Sequence, residues 1–252
     1  MTVITWKSGC SSCHLREFGL CQALKGPEEI ACLESMRQPP RLFPAARAVY
    51  LQGARDVPLY NIESGWLFSY QLLADGRRQI LQFLLPGDLA GLEMDGSAGM
   101  THGLDTLTDS VLCSIPREGF QRLCDSCPVV ANHMQWIRAR DMALLSEHAV
   151  SLGRRTARES MANLFMELAV RSVRSVQLIS GTSLRMPLTQ PIIADALGLT
   201  SIHVNRVLSD LRKSRIMELK NKMLTILDME QLTRLANSPE GFLELWGPKA
   251  QA

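Results

Sequence analysis

No apolar run among the 252 residues approaches the ~18 to 20 that a membrane span requires, and the opening MTVITWKSGC lacks a hydrophobic signal core. The chain is therefore expected to work in the cytoplasm, with no membrane partner. Cytosolic thiols are kept reduced, so structural disulfides are not expected from its seven cysteines, and clusters among them point to metal or redox chemistry. The sequence has no phosphate-binding glycine loop and no paired-carboxylate site, and neither CxxC pair lies in a βαβ pattern. An enzyme is not expected. A thiol oxidoreductase using Cys10 and Cys13, or Cys124 and Cys127, is the catalytic alternative, and His102 in the GMTHGLD loop reads as a surface residue. Internal repeats and low-complexity tracts are absent.

What is present is an ordinary globular composition, 46% hydrophobic and 21% charged, with a net charge of +2 that hides an asymmetry. From Arg154 onward 14 Lys/Arg face 9 Asp/Glu, a balance of +5, while the preceding residues hold 13 against 16, a balance of −3. Positive charge gathered in one part suits a polyanion. A charge run is also the ordinary look of a solvated face, so it needs a motif beside it.

Between Arg41 and Pro116 short apolar runs alternate with turns, and Gly53, Gly65, Gly76 and Gly87 recur every eleven or twelve residues. VYLQ, LYNI, WLFSYQLL and RQILQFLLPGD read as strands of a β-roll or jelly-roll barrel. A short helix is expected from about Gly26 to Met36. Residues 129–153 contain no internal glycine or proline and predict a helix of about six turns. Its Val130, Met134, Ile137 and Leu144 form one apolar stripe; Met142, Leu145, Ala149 and Leu152 follow the 3,4 spacing of a coiled-coil seam. One face can cover the roll while the other meets a second copy, or the helix is internal and packed on both sides. The expected organisation is α+β: a cysteine-bearing loop over residues 1–22, a roll over 23–128, the long helix over 129–153 and a C-terminal domain over 154–252. The last residues, from Trp246, are expected to be loosely held.

The sharpest local signal is QPIIADALGLTSIHVNRV, Gln190 to Val207. A helix-turn-helix needs a small residue where its helices approach, a glycine in the turn and apolar residues beneath, here Ala194, Gly198 and Ile193, Leu197, Leu199, Val204 and Val207. The second helix, about Ser201 to Lys213, would enter the major groove of double-stranded DNA. It offers Ser201, Ile202, His203, Asn205 and Arg206 to bases, with Arg212 and Lys213 following. Arg206 is the expected base reader, because a guanidinium pairs bidentately with guanine O6 and N7. Thr189 is the expected cap of the first helix, whose amides suit a phosphate. IMELKNKMLTILD reads as a hairpin wing turning at Lys220, Asn221 and Lys222, its lysines expected at phosphates.

This order of parts, with YNIESGWLFSYQLLADGRRQILQFLLPGD in the roll, resembles the Crp/Fnr transcription regulators over nearly the whole length. The resemblance implies a cyclic-nucleotide-binding-like roll, a dimerisation helix and a C-terminal winged helix-turn-helix, acting as a homodimer on a palindromic operator. It also implies RNA polymerase as a partner, through roll loops such as Met94 to Thr101. Cys10, Cys13 and Cys21 in C-x2-C-x7-C, with Cys113 in TDSVLCSIP, look like the oxygen-sensing FNR branch, where such cysteines hold a 4Fe-4S cluster. A zinc site with His14, or a thiol redox switch, remains the alternative reading of the N-terminal trio. Cys32 reads as packing, and Cys124 with Cys127 as structural. A cyclic nucleotide is not expected, since no arginine or lysine lies between Leu81 and Pro116 to meet its phosphate and Glu93 cannot do so. On the recognition helix the FNR branch carries E-x-x-S-R, where this chain has Ile202, Asn205 and Arg206.

Overall fold

The computed structural model describes residues 9–92 and 99–246. Two compact units divide the chain, residues 1–139 and 140–252.

The first unit is built on eight strands: β1 (Arg41–Phe43), β2 (Ala48–Tyr50), β3 (Leu59–Ser64), β4 (Leu67–Leu72), β5 (Arg78–Leu84), β6 (Leu89–Ala90), β7 (Gly103–Thr106) and β8 (Ser110–Ile115). They form two four-stranded antiparallel sheets, ordered β1-β8-β3-β6 and β2-β7-β4-β5. Side chains alternate across a strand, so β3 and β8 each serve two cores. Ile62 and Leu112 join Leu67, Leu84 and Leu104 in one cluster. Leu59 and Ile115, on the opposite face, join a second cluster under the N-terminal segment.

That segment is not a plain loop. It forms three 3₁₀ turns, Cys10–Ser12, His14–Glu17 and Gly19–Ala23, held down by Leu15, Leu20 and Leu24, each no more than 2% exposed. Helix α1 (Pro27–Met36) follows, with the Glu29 carboxylate accepting from the Lys25 and Gly26 amides in its first turn. Helix α2 (Arg117–Ser126) is an element the sequence pattern did not reveal. The long helix α3 runs from Pro128 to Gly153. Its Val130, Met134 and Ile137 are buried in the second cluster, and His133 Nε2 lies 2.8 Å from the Gly19 carbonyl oxygen. The two compact units divide inside this helix, and Gly153, the expected boundary, is its end.

The second unit contains the later turns of α3, α4 (Ala157–Val173), β9 (Ser183–Arg185), α5 (Gln190–Leu197), α6 (Ser201–Lys213), β10 (Met217–Lys220), β11 (Met223–Ile226) and α7 (Met229–Ala236). Thr156 caps α4 in a reciprocal box with Glu159. Every residue of α4 from Ser160 to Arg171 is buried, among them Glu167, which pairs with His148 of α3 at 2.7 Å and with Arg171 one turn on. The wing is a β10-β11 hairpin, with Asn221 and Lys222 both at positive φ as a tight primed turn requires. The sheet has a third strand, β9, that the sequence did not announce.

Trp246 corrects an expectation: it is 8% exposed, with the Arg140 and Arg171 guanidiniums 5.6 and 5.5 Å from its ring. Among the described residues no helix is long and apolar enough to cross a membrane.

Candidate functional sites: a DNA-reading helix and a cysteine cavity

The helix-turn-helix is assembled by local chemistry. Helix α5 ends at Gly198, whose φ of +64 is the left-handed conformation that stops a helix and that glycine adopts without strain. Thr200 then caps α6, its Oγ1 accepting from the His203 amide at 3.2 Å. Ile193, Ala194 and Leu197 of α5 and Val204, Val207 and Leu211 of α6 are buried. Arg158 of α4 pins α6 from outside, its Nη1 2.9 Å from Asp210 Oδ2 and its Nη2 donating to Ser214 Oγ.

This leaves one face of α6 bare. Ile202, His203, Asn205, Arg206, Arg212 and Lys213 are exposed and Ser201 is half-buried. Gln190 Nε2 donates to Asn205 Oδ1 at 3.3 Å. Thr189 occupies the cap position of α5, but its side chain makes no capping bond; only its carbonyl accepts, from Ile193. Lys220 and Lys222 are exposed at the wing tip, as expected. Sequence reasoning missed Arg185, also exposed, because it belongs to the unforeseen strand β9, where it pairs opposite Met223.

The seam residues Met142, Leu145 and Leu152 are 64%, 40% and 48% exposed, and Ala149 is exposed too. The other stripe, Val130, Met134, Ile137 and Leu144, is buried. Among the described residues, nothing covers the seam stripe.

The second site is a cavity in the first unit lined by Cys10, Cys13, Cys21 and Cys113, together with Arg37, Asn61 and Glu63 on an otherwise apolar wall. The first and third 3₁₀ turns supply Cys10 and Cys21, and Cys13 is the extended residue that links the first turn to the second. Antiparallel pairing sets Asn61 of β3 directly opposite Cys113 of β8. Arg37 Nε donates to Cys10 Sγ at 2.9 Å, Asn61 Nδ2 to Cys21 Sγ at 3.5 Å, and Cys113 Sγ to Glu63 Oε2 at 3.6 Å. Asn61 Oδ1 is buried with no partner, an acceptor that a bound group or a water would satisfy. All four thiols are free.

Burial pushes the Cys21 thiol up to about 12, with Cys13 and Cys10 adding to the shift. Burial likewise pushes Cys113 up to about 12, helped by Glu63 and opposed by Arg37. Cys10 is raised by burial, against the pull of Arg37. In this apolar recess Cys10, Cys21 and Cys113 resist ionising together unless a cationic centre is shared among them.

Four cysteine thiolates are the donor set either of a tetrahedral zinc or of a cysteine-held iron–sulfur cluster. Four thiolates on a single tetrahedral zinc stand only about 3.8 Å apart, given ~2.3 Å bonds. Among the described residues no three His, Cys, Asp or Glu side chains group closely enough to hold one metal ion. His14 is not among the residues lining the cavity, and its Nε2 lies 3.1 Å from the Glu63 carbonyl oxygen. Cys32, Cys124 and Cys127 are not among the residues lining the cavity: Cys127 is buried in the second cluster and the other two pack against it, with Cys32 Sγ 3.9 Å from Ser126 Oγ and Cys127 Sγ 3.8 Å from Glu29 Oε1. His102, read as a surface residue, is buried beside Tyr50. Glu93, and residues 94–98 of the expected polymerase loop, fall outside the described residues.

A β-roll joined through a long helix to a winged helix-turn-helix, its reading helix bare and its surroundings basic, defines a DNA-binding transcription regulator. The description "Cyclic nucleotide-binding domain" matches residues 40–127, and "Crp-like helix-turn-helix domain" matches residues 159–235. The chain is 30% identical over 204 residues to the nitrogen fixation regulation protein FixK of Rhizobium meliloti strain 1021, covering 79% of this chain and 89% of that protein. It is 28% identical over 220 residues to the transcriptional activator protein FnrL of Cereibacter sphaeroides, covering 86% and 87%. The structure of FixK2 from Bradyrhizobium japonicum superposes with a TM-score of 0.70 at 26% identity, over 79% of this chain and 98% of that one. The chain belongs to the Crp/Fnr family of transcription regulators. These relatives are regulators rather than enzymes.

Proposed function

We propose that this regulator works in the cytoplasm as a homodimer and senses oxygen or redox state through a 4Fe-4S cluster held by Cys10, Cys13, Cys21 and Cys113. The observation that carries the reading is that these four thiols, drawn from positions up to about a hundred residues apart, line one cavity. When bound, such a cluster supplies an oxygen-labile anchor between the N-terminal segment and the roll. The chain's own residues do the rest. Arg37 offsets thiolate charge at Cys10, Asn61 donates to Cys21, and Leu15, Leu20 and Leu24 hold the ligand-bearing turns against the sheet.

The signal has a physical route to the dimer helix. Cys10, Cys21, Leu15 and Leu20 share one hydrophobic cluster with Val130, Met134 and Ile137 of α3. The later turns of that same helix carry Met142, Leu145, Ala149 and Leu152 toward a second copy. A two-fold dimer would set two copies of α6 on a palindromic operator, with Arg206 reading guanine, and Arg212, Lys213, Lys220 and Lys222 meeting phosphates. RNA polymerase is the further partner that the family implies.

The roll is taken to have no cyclic-nucleotide ligand, because no arginine or lysine occurs from Leu81 to Pro116. Zinc bound with His14 is the weaker reading, since His14 is not among the residues that line the cavity of the four thiols.

The test is anaerobic purification with iron and acid-labile sulfide analysis, followed by exposure to air. About four irons and four sulfides per chain are expected, bleaching in air. Each of Cys10→Ser, Cys13→Ser, Cys21→Ser and Cys113→Ser should lose them, whereas Cys32→Ser, Cys124→Ser and Cys127→Ser should not. Stoichiometric zinc, or no metal, would overturn the sensor reading and leave the DNA-binding regulator intact.

A further inference from the structure

Ile202 is 78% exposed, more than any other large apolar side chain among the described residues, and it stands in the first turn of the recognition helix. Nothing among the described residues covers it. Helix α6 is held by Val204, Val207 and Leu211 below and by Arg158 on Asp210 at its far end. Residues three and four apart share a helix face, so Ile202, Asn205 and Arg206 form one patch. That patch is apolar at one corner and hydrogen-bonding at the others. Because Gln190 occupies the Asn205 carbonyl oxygen, the Asn205 amide is left to donate.

We propose that Ile202 is a specificity residue that packs on the C5-methyl of a thymine in each half-site, next to the pair read by Arg206. The inference rests on the DNA-binding reading and names what that helix selects. In the major groove only thymine presents a methyl group; cytosine and adenine present amino donors there. An isoleucine has no acceptor for such a donor. Pressed against cytosine N4 or adenine N6 it would strip water from the amine and leave it unpaired, so the side chain rejects those bases as well as favouring thymine. A methyl group covered in this way is worth about fourfold in affinity per half-site, and about fifteenfold for two half-sites bound together.

The experiment uses the full-length protein, purified without oxygen. Its preferred duplex is selected from a random library, and each thymine of that duplex is then replaced singly by uracil, which removes only the methyl group. At one thymine per half-site, uracil should weaken wild-type binding about fourfold, while Ile202→Ala binds the two duplexes equally. Ile202→Glu should shift selection at that pair from thymine to cytosine, whose amino group a carboxylate accepts. Since Ile202 is exposed, each variant should melt with the wild-type protein. If a defined operator is selected but no uracil replacement distinguishes wild type from Ile202→Ala, the methyl contact is refuted while DNA reading stands. If no sequence is selected over random duplex, sequence-specific reading fails and this inference falls with it.

Discussion

Gly19→Ala is the sharpest test of how the cysteine-bearing segment is seated. Gly19 has φ +53, and a Cβ there would stand 2.9 Å from the carbonyl carbon of Gly87 and nearer still to its oxygen. Left-handed backbone costs an L-residue about 1–2 kcal/mol, and overpacking against a main chain that cannot swing aside adds about 1–3 kcal/mol. The turn carrying Cys21 must therefore lift, at a cost of about 2–5 kcal/mol. Gly53→Ala is the control: its φ is +83 but nothing lies within 4 Å of the added carbon, so it bears the strain without the collision. The assay is alkylation of metal-free protein, mapped by peptide mass. Cys10 and Cys21, 8% and 6% exposed, are protected in the wild type. In Gly19→Ala they should label at least about thirtyfold faster, because opening is easier by about 2 kcal/mol or more. Labelling of Cys10 and Cys21 at the wild-type rate, or at the Gly53→Ala rate, would refute the seating.

Three further outcomes are expected. The metal-free protein should lose stability as pH rises above about 9: the folded state holds Cys21 and Cys113 protonated up to about 12, while the unfolded chain ionises both near 9.0. The slope is about 1.4 kcal/mol per pH unit for each thiol, and urea midpoints for Cys21→Ser should show a shallower fall. In the second unit, burial raises the Glu167 carboxyl, but His148 and Arg171 outweigh it and hold the group below the usual 4.5. That stability is present above about pH 4.5 and is lost as pH falls through the folded value. Glu167→Gln, which leaves Arg171 buried without its carboxylate, should cost about 3–5 kcal/mol in denaturant unfolding and remove this acid dependence. Finally, Leu145→Glu on the exposed stripe of α3 should weaken self-association on the order of a hundredfold or more in sedimentation, with the unfolding of the single chain unchanged. Unaltered association would remove that stripe from the dimer surface.

The helix-turn-helix was legible because its rules are local: Ala194 is small where the helices approach, Gly198 turns the chain, and the apolar residues beneath recur within one short segment. The wing was legible for the same reason, its reversal confined to Asn221 and Lys222. The four cysteines stood out because thiols are scarce and chemically specific. Their polar neighbours did not. Arg37, Asn61 and Glu63 are residue types common on any surface, and only the docking of the N-terminal turns and the β3-β8 register, Asn61 opposite Cys113 across about fifty residues of chain, turns them inward. Helix α2 was hidden by Gly119, a poor helix former that interrupts the helical pattern near its start. Trp246 was misjudged by its nearness to the chain end, since its burial depends on Arg140 and Arg171, far away in sequence. The division is between residues whose role follows from neighbours along the chain and residues whose role is set by what a distant segment brings against them. The reading head belongs to the first class. The wall of the cysteine cavity belongs to the second, so substitutions at Arg37, Asn61 and Glu63 are where the chemistry of the site can change while its sequence motif stays intact.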